Sequence, residues 1–369
     1  MLEHYHLRNY NFKLLLLVIT ATVIGTLMIN SADSSYLNKQ IIGLVVCLLG
    51  LITLSLIDYK FIRKFHGLLY TINIILLLCV IFFGASVNGA QRWLGSSSFI
   101  RVQPSEFTKI IMIICAAHFL ADHKETINTF KTLFEYAILC AIPLTLIVLQ
   151  PDLSTTIDIF VILFFMLFVA GLSYKIIGIA ALCSIPLVGS FLWYIKQPNP
   201  LFFKDYQVQR ILAFLYPEDY ASTTQYQQDN SVMAIGSGQL FGKGINNSTL
   251  ATVKDANLIS EQQTDFIFSV IGEELGFVGS TLVVVILGLI VVQCINTARK
   301  ASDPMGMLIA TGVATLIGFQ SFINIGVATS LLPNTGIPLP FISYGLSSLV
   351  SSCAGIGLVM NVSLQRRKY

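Results

Sequence analysis

Ten apolar runs, each close to the length that crosses a bilayer, follow one another along this chain, at approximately 12–30, 40–57, 67–86, 104–121, 134–150, 153–171, 175–195, 264–295, 305–329 and 341–363. A hydrocarbon core about 30 Å thick is spanned by roughly twenty residues of helix. Within it each backbone N–H and C=O must find a partner in the protein, so only helices and closed barrels are admissible. Unbroken apolar runs, as opposed to alternating ones, select helices. The expectation is an all-α integral membrane protein, a single polytopic domain over residues 1–369 with one long loop, about 196–263, between helices seven and eight. Charged residues make up only 11% of the chain, less than half of the quarter or so usual in soluble domains. No soluble domain fits between the spans, and no nucleic-acid partner is indicated. The first run passes into 30–40 without a small-residue cleavage site and reads as a retained helix, not a signal peptide.

Charge orients the spans. With the N-terminus in the cytoplasm, Arg8, Lys13, Lys60, Arg63, Lys64, Lys124, Lys131, Lys175, Arg299, Lys300, Arg366, Arg367 and Lys368 fall on one side, thirteen of the 22 basic residues and all in short segments. The other side has Lys39, Arg92 and Arg101 in short loops, with Lys196, Lys204, Arg210, Lys243 and Lys254 in the long one, where charge has little say. Both termini are therefore expected inside and the long loop outside. All seven cysteines lie within apolar runs, so neither a disulfide framework nor a zinc site is expected.

Carboxylates in hydrocarbon cost several kcal/mol and mark function by default. The stretch 262–279, QQTDFIFSVIGEELGFVG, holds Asp265 at the mouth of the eighth run and Glu273 and Glu274 deeper in it. Taken whole, that run of 32 residues is about 48 Å of helix, so its first turns stand at the outer surface or in a water-filled cavity. The competing reading of Asp265 is a helix cap. In helix four, Glu106 and Lys109 share a face at three residues' spacing and form a charge pair that reads first as a structural staple. Arg92 and Arg101 flank Trp93 as a fork for phosphate or pyrophosphate. Asp152 after Pro151 is either an outward-facing acid or the cap of helix six, while Asp158 and Glu274 receive no specific role.

In the long loop, 206–215 places Val208, Ile211, Leu212 and Leu215 on one face of a helix that can lie on the outer leaflet. The glycine-rich AIGSGQLFGKG offers backbone N–H groups and Lys243 to a phosphate, or is simply a flexible loop. The last loop, LLPNTGIPLPFISYGLSS, is irregular backbone that must line protein or a cavity shared with Asp265.

Taken together, NGAQRWL with QPSEFTK, QPDLST, YQVQRILAFLYPE, YQQDNSVMAIGSG, QQTDFIFSVIGEELGFVG and TGIPLPFISYG resemble the motifs of the SEDS proteins, in family order from about residue 88 to the C-terminus. The resemblance implies a ten-helix peptidoglycan glycosyltransferase of the bacterial cytoplasmic membrane that polymerises lipid II at the outer face beside a class B penicillin-binding protein. It maps the family's essential aspartate onto Asp265 and its paired charges onto Glu106 and Lys109. Ser154 and Leu346 stand where the family usually has glycine. The NGAQRWL form and the lack of cytoplasmic extensions lean towards the RodA type, without deciding between elongation, division and sporulation.

The residue chemistry is compatible with that transfer. Asp265 is placed as general base on a sugar hydroxyl. Arg92, Arg101, Arg210 and Lys243 are the cations for the departing pyrophosphate, with a divalent ion, Mg or Mn, as a possible cofactor. One base without a second, nucleophilic carboxylate implies single displacement with inversion. Asp152 and Glu273 are further candidate cavity acids. The rival readings are a lipid II flippase, with Glu106, Lys109 and Glu273 as path residues, and a scaffold for a partner synthase.

Overall fold

The computed structural model describes residues 10–87, 90–95, 101–195, 205–220, 224–247, 251–254, 256 and 258–365. Of the residues named above, Arg8, Lys196, Lys204, Arg366, Arg367 and Lys368 lie outside them. The described chain is almost wholly helical, with ten helices long and apolar enough to cross a membrane, as the runs require.

These are α1 (Phe12–Ala32), α2 (Leu37–Leu56), α4 (His66–Phe83), α5 (Pro104–Asp122), α6 (Phe130–Leu149), α7 (Leu153–Ala170), α8 (Tyr174–Ile195), α11 (Ile267–Arg299), α12 (Pro304–Ala328) and α13 (Leu346–Leu364). Between them stand the short α3 (Tyr59–Arg63) and, in the long loop, α9 (Asp205–Leu215) and α10 (Thr224–Ser237). Polar residues at the starts satisfy orphan N–H groups: Asn11 accepts from Leu14 N at 3.1 Å, and Asp303 from Gly306 N at 2.7 Å. Among the described residues the only paired strands form a small antiparallel ribbon, β1 (Ala85–Val87) with β2 (Ala90–Trp93), extended by a Leu94–Val102 bridge.

Helices α5, α12 and α13 form the centre, and the apolar surface of α8 is left almost entirely outward. Leu346, where a family glycine was expected, packs over Gly43 of α2. The last span begins five residues later than its hydropathy does, because Phe341 has φ 65° and 341–345 belong to the irregular loop. The cysteine expectation is overturned at one pair: Cys47 of α2 and Cys353 of α13 are bonded, with Cα atoms 5.7 Å apart. Small apolar residues facing each other across two packed helices give no spacing signal of such a bond.

The eighth span is not one continuous rod. At Gly276 the chain adopts φ 66° and ψ −163°, outside helical space and open only to glycine. The long loop repairs the broken ladder. Phe277 N donates to Gln239 O at 2.8 Å and Val278 N to Leu240 O at 3.1 Å, while Glu273 O and Glu274 O accept from Lys243 N and Gly244 N at 2.9 and 3.0 Å. The glycine-rich turn therefore spends two of its N–H groups on the broken helix, which corrects their expected use as a phosphate cradle. Helix α10, invisible in the hydropathy, is anchored by polar groups: Gln228 Nε2 donates to Val327 O and Leu332 O, and Ser231 Oγ to Ala328 O.

Candidate active site

Asp265 lies half-buried just before α11. It is not a cap, since Phe266 occupies the N-cap position with no side-chain bond. Its backbone is held from two directions. Asn324 Nδ2 on α12 donates to Asp265 O at 2.9 Å and to Ile337 O at 2.8 Å, which ties the aspartate to the TGIPLP loop. Ser343 Oγ donates to Thr264 O at 2.6 Å and Tyr344 N to Gln263 O at 2.9 Å, fastening the same two segments one step further along. The prolines and glycines of that loop thus shape a wall against which Asp265 is set.

Gly336 is the closest point of this wall. It has φ 74°, and a Cβ there would lie 3.3 Å from Asp265 Oδ2 and 3.7 Å from Arg210 Nη1. The carboxylate and the guanidinium of α9 therefore converge over a residue with no side chain. Burial pushes the Asp265 carboxyl up to about 6, against the pull of Arg210 and, more weakly, Arg92, with Glu261 adding to the rise. The result is a base that is ionised at neutral pH yet basic enough to accept a proton.

Arg92 joins from β2. Its Nη1 is 3.6 Å from Asp152 Oδ1, and its Nη2 donates to Pro151 O. Asp152 takes the cap reading, accepting from Thr155 N at 3.3 Å, and its side chain, 2% exposed, is paired with Arg92. Ser154, the other departure from family glycine, donates its hydroxyl to Thr335 O beside Gly336. Arg101 is exposed next to the Leu94–Val102 bridge.

Two expected site residues belong elsewhere. Lys243 Nζ is 2.7 Å from Glu273, which is 1% exposed and also accepts from Val253 N at 2.8 Å and Lys254 N at 3.2 Å. Glu274 takes Lys254 Nζ at 2.8 Å and the Ser31 hydroxyl. Lys243 is thus no open cation and Glu273 no cavity acid; the two glutamates tether the loop that completes α11. The Glu106–Lys109 pair forms at 2.8 Å as expected but has a third member, since Lys109 Nζ is 3.2 Å from Asp158, and Gln320 Nε2 donates to the same carboxylate at 2.6 Å. Asn324 and Gln320 escaped the sequence reading, although an amide inside an apolar run is the same kind of signal as an acid there.

Comparison with known proteins gives the family and the fold. A family model for the FtsW, RodA and SpoVE cell cycle proteins matches residues 7–368. The chain is 32% identical over 376 residues to a probable peptidoglycan glycosyltransferase FtsW of Geobacter metallireducens, covering 98% of this chain and 96% of that protein. It is 34% identical over 360 residues to the peptidoglycan glycosyltransferase MrdB of Escherichia coli K12, covering 96% and 93%. A solved structure described as the structural coordination of polymerization and crosslinking by a peptidoglycan synthase complex contains a similar chain, with TM-score 0.80 and 27% identity, covering 96% of this chain and 97% of that one.

Proposed function

The chain belongs to the FtsW, RodA and SpoVE family of cell cycle proteins, and from that membership we propose that it is a peptidoglycan glycosyltransferase that joins lipid II units into glycan strands, with Asp265 as general base. The observation that carries the assignment is the convergence of the half-buried Asp265 carboxylate and the Arg210 guanidinium over Gly336.

In this reading a sugar hydroxyl of one lipid-linked chain attacks the anomeric carbon of the other, and the new C–O bond forms as the bond to the pyrophosphate breaks. Asp265 takes the hydroxyl proton, a contribution typically worth about 10² to 10⁴ in rate. The pyrophosphate leaves as an anion, so positive charge serves it better than an acid does. Arg210 and Arg92 both pull on the Asp265 carboxyl electrostatically and are assigned to the leaving group, with Arg101 close to Arg92 in sequence. With Asp265 assigned as the base and no second carboxylate assigned as nucleophile, the transfer is a single displacement with inversion. Among the described residues no three histidine, cysteine or carboxylate side chains gather to hold a metal. A Mg or Mn ion would therefore take most of its ligands from the substrate, and no step here passes through one.

The proposed setting is the outer face of the bacterial cytoplasmic membrane, following the charge bias, with a class B penicillin-binding protein as crosslinking partner. The synthase complex to which the chain is similar couples polymerization to crosslinking, which supports that pairing. A flippase needs Glu106 and Lys109 as path residues, yet their side chains are 6% and 2% exposed and bound to one another. The relatives carry both FtsW and MrdB names at 32% and 34% identity, so likeness does not divide elongation from division.

The test is reconstitution with lipid II and the partner protein. Asp265→Ala is expected to lower strand synthesis by about 10² or more. Wild-type rates in that variant would remove Asp265 from the chemistry. Transport of labelled lipid II by a wild type that makes no strands would favour the flippase.

A further inference from the structure

On the face opposite Asp265, the ends of α3, α4, α5 and α12 surround a cleft of about 510 Å³. Three cations border it, Lys60, Arg63 and Lys64, against two carboxylates, Asp122 and Asp303. The carboxylates are already engaged. Asp122 pairs with Arg63 and lies 3.3 Å from His118 Nδ1. Asp303 caps α12 and accepts from Tyr59 Oη at 2.6 Å, and Lys60 Nζ makes only a loose, half-exposed ion pair with it at 3.6 Å. Lys64 is exposed, and among the described residues no acid pairs with it. Arg63 Nε donates to His118 Nδ1 at 3.1 Å, so the neutral His118 ring keeps its proton on Nε2 as a further donor.

Next to these cations α3, with Phe61, and the turn into α4, with Phe65, present two aromatic rings outward. Phe61 is 40% and Phe65 44% exposed, and their rings pack edge to face with centroids 5.2 Å apart. Exposed phenylalanines beside a lysine–arginine cluster are the arrangement of a helix lying at the membrane boundary, rings in the acyl layer and cations at headgroup level. A soluble anion has no use for the rings, whereas a lipid uses both parts.

We propose that this cleft binds the phosphate of an anionic phospholipid headgroup through Lys60, Arg63, Lys64 and His118, with Phe61 and Phe65 holding the α3–α4 corner in the acyl layer. Basic pockets between transmembrane helices on the cytoplasmic side take anionic headgroups by this chemistry. On the orientation given by the charge bias, this is that side. The site stands apart from Asp265, and its test does not depend on polymerisation.

The test uses the full chain in detergent with phosphatidylglycerol, phosphatidylcholine of the same acyl chains, or free glycerol 3-phosphate. Retention is read by native mass spectrometry and stabilisation by thermal shift. Phosphatidylglycerol is expected to bind saturably and raise Tm, and the Lys60→Gln/Arg63→Gln/Lys64→Gln variant to weaken it by about tenfold or more. A control on other basic residues of the same face, Lys124→Gln/Lys131→Gln/Lys175→Gln, is expected to bind like wild type. Should the triple variant not fold, Lys64→Gln, at an exposed position, gives the same reading with a loss of about threefold. Equal binding of phosphatidylcholine overturns the site, as does an equal loss in the control. Saturation by glycerol 3-phosphate at the lipid's own concentration overturns the lipid and leaves a small soluble anion.

Discussion

Asp265 and Arg210 are joined by electrostatics that a pH profile can read. The carboxyl is raised from 3.8 to about 6 chiefly by burial, with Arg210 as the largest opposing influence. In the proposed role of general base Asp265 works only when ionised, so strand synthesis is expected to be flat above about pH 6 and to fall about tenfold per pH unit below it. Arg210→Gln removes the strongest downward pull, so the carboxyl should rise further and the acid limb should move to higher pH. A limb unmoved by that change would separate Arg210 from the base, whatever happened to the overall rate. Asp265 was legible in the sequence because a carboxylate at the edge of an apolar run needs a reason. Arg210 was legible only as a cation somewhere in a long loop. That it meets Asp265 over Gly336 depends on how 205–215 folds back, which no local pattern encodes. Lys243 was misassigned for the same reason: its acid lies 30 residues away in sequence.

At the scale of elements, the break in α11 is stabilised by a loop that has no hydrophobic stripe of its own. Glu273 and Glu274 bind Lys243 and Lys254 by their side chains, while their carbonyls accept from Lys243 and Gly244 N–H groups. This division of labour explains two acids in succession at a depth where one ion is already costly. Glu273→Ala leaves the buried Val253 and Lys254 N–H groups without their acceptor, at a cost of roughly 1–3 kcal/mol. The expected sign is faster trypsin cleavage after Lys243 and Lys254, whose side chains the wild type sequesters, before any loss of the spans. Unchanged cleavage would mean that the loop is held by other contacts. Hydropathy located all ten spans because each must satisfy its own backbone in lipid. It missed α10, which is fixed by Gln228 and Ser231 bonding to the end of α12, and it ran α11 straight through Gly276, since an apolar run looks the same whether its helix is whole or broken.

Across the whole molecule, the buried charges at the bundle centre hold three helices together. Lys109 of α5 lies between Glu106 on its own helix and Asp158 of α7, and Gln320 of α12 completes the set. A buried ion cluster is weak evidence for stability by itself, but removing one partner strands the others and typically costs about 3–5 kcal/mol. Lys109→Met is therefore expected to lower folded, monodisperse yield sharply, because two carboxylates then face each other without a cation. The three-membered cluster also decides what rescue looks like. Exchanging Glu106 with Lys109 preserves a simple pair, and for a two-residue staple it restores yield. Here it sets a glutamate at 109 beside Asp158, so the exchange should rescue little. The neutral combination Glu106→Gln/Lys109→Met/Asp158→Asn should recover most of the yield, since it removes every stranded charge while keeping the side-chain volumes close. Purification yield and thermal unfolding in detergent measure all three variants. Wild-type behaviour of Lys109→Met, or full rescue by the simple exchange, would show that α5 and α7 are not joined through this lysine.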